Sequence, residues 1–95
     1  MKFPCNRDGA KAVGTIFRQA REAKGWVLRD LVAHGLKFGT ISHYENGFLN
    51  KYMDEPIVTK MLEVLQPINQ VTGEVWTLAA SKALAAAKPS TNKEA

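Results

Sequence analysis

From Ala10 onward apolar residues return at steps of three and four, with Val13, Ile16, Phe17, Ala20 and Ala23 in series before Gly25. That period predicts a first helix over 10–23, closed by the glycine, with Lys11, Arg18, Glu22 and Lys24 on much of its solvent side. Val27, Leu28, Leu31 and Val32 mark a short second helix within 26–34, and Gly35 stands where a left-handed residue ends a helix. A third helix follows over 38–46, with Leu36, Ile41 and Tyr44 turned inward and Asn46-Gly47 as its stop. Asp54 and Glu55 before Pro56 suit the first turn of a fourth helix. Acidic groups there meet the positive end of the helix dipole, and proline has no amide hydrogen to leave unbonded. Ile57, Met61, Leu62 and Leu65 line that helix until Pro67 ends it, and a fifth is expected over 72–87.

The intervening stretches read as irregular. Residues 1–9 hold Pro4, Asn6, Asp8 and Gly9, all turn formers, and 47–55 is a loop rich in apolar residues, among them Phe48, Leu49, Tyr52 and Met53. Lys88 to Ala95 has the composition of a disordered tail. No stretch reads as a strand and no internal repeat is present. The expectation is an all-α fold of five helices, divided into a lead-in at 1–9, a core domain at 10–66, a C-terminal helix at 67–87 and the tail at 88–95.

Ninety-five residues support one modest core, marginal for a monomer and comfortable for a dimer. Cys5 is the lone cysteine, which excludes an intrachain disulfide and a cysteine metal cluster and fits a reducing cytoplasm. No apolar run reaches the roughly 18 residues of a membrane span, and Met1 to Asn6 lacks the apolar region of a signal peptide. A cytoplasmic, nucleoid-associated protein without cofactor or metal is therefore expected. The net charge of +4 is unevenly spread: residues 10–51 carry seven basic and three acidic side chains, whereas 52–95 sum to −1. The basic half suits a polyanionic partner.

That half contains a helix, a tight turn and a second helix over 27–46, an arrangement able to lay its second helix in the major groove of DNA. Lys37, Phe38, Gly39, Thr40, Ser42, His43 and Asn46 form the outward side. Lys37, Phe38, Gly39, Ser42 and His43 are the candidates for base contact: His43 can donate to guanine, Ser42 can serve either kind of base edge, and Phe38 can pack on a thymine methyl. Arg29, Lys37, Thr40, Asn46 and Lys51 are the candidates for phosphate contact. Each has a plainer alternative: Phe38 as core, His43 as surface, Lys37 as solvated charge. For His34, a polar group at a helix end, the plainer reading is preferred.

Two runs, Arg21-Glu22-Ala23-Lys24-Gly25 and Thr40-Ile41-Ser42-His43-Tyr44-Glu45-Asn46-Gly47, resemble the DNA-binding domain of the phage repressor and Cro family, across residues 10–66. The resemblance implies a lambda-repressor-like helix-turn-helix fold, sequence-specific double-stranded DNA as partner, and a partly buried ion pair between Arg21 and Glu45. The chain departs from the family in three places. The turn near 31–35 is one residue short, no glutamine opens the second helix, where Arg29 is the nearest substitute, and the loop over 47–56 is long.

A single short helix reads few base pairs, so a homodimer on a palindromic operator is expected, acting as a transcriptional repressor. Val75, Trp76, Leu78, Ala79 and Ala83 are the dimer candidates; the alternative for this segment is packing against its own core. An enzyme is not expected, because no nucleophile, base and orienting group can be brought together from these residues. The rival reading is an antitoxin-like protein whose main partner is another protein.

Overall fold

A computed structural model describes residues 1–47, 49, 51–69 and 71–87. The tail expected at 88–95, and Phe48 and Asn50 of the apolar loop, lie outside the described residues. Five helices dominate: α1 (Arg7–Ala23), α2 (Leu28–Ala33), α3 (Phe38–Asn46), α4 (Glu55–Leu65) and α5 (Leu78–Ala86). A two-stranded sheet joins β1 (Lys2–Pro4) to β2 (Tyr52–Asp54), antiparallel, with Phe3 opposite Met53.

The sheet corrects the expectation of a strand-free chain. Phe3 and Met53 both point into the core, and the pairing also brings the Cys5 N–H to the Lys51 carbonyl at 2.8 Å. The lead-in is structured to its end, because Asn6 caps α1: its Oδ1 accepts the Gly9 N–H at 2.7 Å, so the helix begins at Arg7 and not at Ala10. Asparagine at this position satisfies an amide that the first helical turn would leave unbonded.

α5 is about half the length expected. Thr77 starts it by accepting the Ala80 N–H at 3.0 Å, and before it Ile68 and Val75 pair in an isolated antiparallel bridge that closes a turn. Asn69 holds that turn by accepting the Val71 and Thr72 amides. Gly73, with φ of 76°, would not have continued a helix.

One core unites the elements. Ala10, Val13 and Phe17 of α1, Leu31, Leu36, Ile41, Tyr44, Val58, Met61, Leu62 and Leu65 are buried together with Phe3, Met53 and Ala85. Residues outside 10–66 thus belong to the same core as those within it. α2 contributes little, with Leu31 buried while Val27 and Val32 stand exposed. Among the described residues no helix is long and apolar enough to cross a membrane.

Candidate nucleic-acid interface

The turn between α2 and α3 is built on Gly35, whose φ of 98° is reached by glycine at little cost. His34 and Gly35 donate their backbone N–H groups to Leu31 and Val32, closing α2, and Leu36 then drops into the core. Lys37 adopts an extended conformation as the residue that opens α3. Asp30 accepts the Val27 N–H at 2.8 Å and steadies the start of α2. His34 stacks on the Trp26 ring, centroids 5.0 Å apart, with its Nδ1 2.9 Å from the Asp30 carbonyl oxygen. These local partners account for His34 as a structural residue.

α3 lies against α1 at unusually close range. A Cβ on Gly14 would fall 2.2 Å from the Tyr44 carbonyl oxygen, and one on Gly47 would fall 2.5 Å from the Lys11 Cα. The absent side chains let the end of α3 touch the backbone of α1. Gly47 also takes the left-handed conformation that terminates the helix.

The same contact carries an ionic brace. Arg21 Nε donates to Glu45 Oε2 at 2.7 Å and Nη2 to Oε1 at 3.0 Å, while Nη1 donates to the Trp26 carbonyl at 2.8 Å. One guanidinium therefore ties the end of α1, the chain entering α2 and the end of α3. Glu45 is 3% exposed at its side chain, and the bidentate geometry provides the hydrogen bonds that a buried carboxylate requires. The hydrogen bonds that Arg21 donates to Glu45 raise the Arg21 pKa above its ordinary value.

Tyr44 fixes the other side of α3. Its ring is buried and its hydroxyl accepts the Asp54 N–H at 2.8 Å, linking α3 to the chain where β2 passes into α4.

Lys37, Phe38, Gly39 and His43 are exposed on α3 and its first flanking residue, and Thr40 and Ser42 are half-exposed. Phe38 is 59% exposed, which removes it from the core. Arg29, in the first turn of α2, and Lys51, before β2, are exposed as well. Asn46, a candidate phosphate ligand, is exposed as well. Its amide is engaged within the protein, accepting from Arg18 Nη2 at 2.7 Å and donating to the Ser42 carbonyl at 2.8 Å and Oγ at 3.2 Å. Arg18 was expected on the solvent side of α1, and this contact is what sequence reasoning missed. The available signal was its position three residues before Arg21, which puts both guanidiniums on one face of the helix.

The dimer candidates divide. Val75, Ala79 and Ala83 are exposed, whereas Trp76 and Leu78 pack against the core of their own chain. α5 spends its inner side on α1, with Ser81 and Ala85 buried and the Ala85 carbonyl accepting the Asn6 N–H at 2.9 Å. The larger apolar exposure lies just before it, at Ile68, Val71 and Val75, and Val71 is 93% exposed. A cleft of about 360 Å³ between α1 and residues 65–69 opens beside this turn, and no residue of α2 or α3 lines it.

Among the described residues no group of three or more histidine, cysteine, aspartate or glutamate side chains is arranged to hold a metal ion. No protein-family model, curated protein or solved structure matches the chain.

Proposed function

We propose that this protein is a sequence-specific double-stranded DNA-binding regulator of transcription, a dimeric repressor of the helix-turn-helix type that inserts α3 into the major groove of a palindromic operator. The observation that carries this reading is the construction of α3. Its rear is locked to α1 by Arg21–Glu45 and two glycine contacts, while Lys37, Phe38, Gly39 and His43 stand exposed in front. A helix held rigidly from behind can hold its side chains in register with base edges. Exposed Arg29 and Lys51 add cations for phosphates, and the likeness to the repressor and Cro family supports the same assignment.

The exposed Ile68, Val71 and Val75 favour a protein contact as well. In the regulator that contact is a second copy of the chain; in an antitoxin it would be an unrelated protein. The two readings separate on whether the purified protein alone protects a palindrome.

Selection of bound duplexes from a random pool tests the proposal, with a symmetric consensus as the expected result and no enrichment as the refuting one. On the selected duplex Lys37→Ala should weaken binding to all sequences alike. It should also lower the slope of log affinity against log salt by about 1, because one fewer phosphate is neutralised. An unchanged slope would remove Lys37 from the phosphate contacts.

A further inference from the structure

We propose that Arg18, acting through Asn46, makes Ser42 a hydrogen-bond donor toward the DNA and thereby selects the base that Ser42 reads. The inference rests on the proposed function above.

The orientation of the Asn46 amide follows from its neighbours. Arg18 has only donors, so the atom 2.7 Å from its Nη2 must be the amide oxygen, which turns the NH₂ group toward Ser42. That group donates to both the Ser42 carbonyl and the Ser42 Oγ. A serine hydroxyl otherwise chooses freely between donating and accepting. Here one of its lone pairs is occupied and the proton is directed away from Asn46. Among the described residues the hydroxyl donates no hydrogen bond, so its proton remains for the partner. Arg18 is itself held at the site by Glu45, whose Oε1 is 3.8 Å from its Nε. The relay thus runs from the brace between α1 and α3 to the exposed side of α3.

A donor at this position accepts guanine N7 or O6, adenine N7 and thymine O4 as partners, and rejects the cytosine amino group, which is itself a donor. Asn46→Asp reverses the logic. The carboxylate still accepts from Arg18 but cannot donate to Ser42, so the hydroxyl turns inward to donate to it and presents lone pairs outward.

The test compares duplexes selected from a random pool by the wild type, Ser42→Ala, Asn46→Asp, Arg18→Ala and Arg18→Lys, with melting temperatures as a control for folding. Ser42→Ala should flatten the preference at one position of each half-site. Asn46→Asp should shift that same position toward cytosine or the adenine amino group by about five- to tenfold, the worth of one hydrogen bond. Its added negative charge lowers affinity for all sequences together and leaves that ratio readable. Arg18→Ala should weaken the preference at that position, and Arg18→Lys, which retains donors, should restore part of it; a merely structural role would not move one base position. If the wild type enriches duplexes while Ser42→Ala or Asn46→Asp gives the wild-type profile, this inference fails and the DNA-binding proposal stands. If the wild type enriches none, both fail.

Discussion

Tyr44 shows how much one side chain on α3 does. Its ring is part of the core, and its hydroxyl is the partner of the Asp54 N–H. Burial raises the pKa of Tyr44 above its ordinary value of 10.0 and that of Cys5 above 9.0. The folded protein therefore holds these two protons more tightly than the unfolded chain. Their contribution is complete below the unfolded pKa values and is lost as pH rises through the folded ones. Stability measured by urea unfolding should accordingly decline above about pH 9. Tyr44→Phe should lower stability at neutral pH by about 1–3 kcal/mol, because the Asp54 amide loses its acceptor, while flattening the alkaline decline above pH 10. An equally steep alkaline decline in Tyr44→Phe would show that other groups cause it.

Among the elements, α3 was the most legible from the chain, and its bounds agree with those expected. Ile41 and Tyr44 set its inner side and Gly47 its end, each signal being local to the helix. β1 and β2 escaped because a three-residue strand is too short for an alternating pattern, and its partner is about fifty residues away. α5 was drawn too long because its alanine-rich run favours helix, while the cap at Thr77 and the Asn69 turn that stop it depend on particular hydrogen bonds. The exposed set on α3 was readable from spacing; the engagement of Asn46 by Arg18 was not, because it joins two helices across 28 positions. The Arg21–Glu45 brace entered through family likeness rather than periodicity, and its effect is testable at this scale. Arg21→Met takes from the buried Glu45 carboxylate its bidentate partner and leaves only the 3.8 Å contact to Arg18, at a cost of up to about 3–5 kcal/mol in a domain whose total stability is about 5–15 kcal/mol. Thermal unfolding should show a large drop in melting temperature, and hydrogen exchange should show earlier opening of α3 than of α4. Unchanged exchange in α3 would mean that the glycine contacts suffice to hold it.

For the whole molecule, the main question is what meets the Ile68, Val71 and Val75 surface. α5 is occupied with α1 along its buried side, so the turn before it offers the larger apolar area to a second copy. In the proposed dimer, Val71→Lys should shift sedimentation toward the monomer and weaken binding to the proposed palindrome more than to an isolated half-site, with little change in melting temperature. A dimer that persists unchanged would place the interface elsewhere, with the exposed Ala79 and Ala83 next to be tested.

The Asn6 clasp has a consequence for synthesis. Asn6 bonds through its backbone N–H to the Ala85 carbonyl and through its Nδ2 to that of Ala87, at 2.9 and 2.7 Å. A nascent chain that has emerged only as far as α4 can pair β1 with β2 but cannot complete the contacts of Asn6. The ribosome must deliver residue 87 before the knot is tied, and loop-closure entropy is met only then. Translation stalled earlier would leave α1 without its neighbour α5, and the core that braces α3 incomplete.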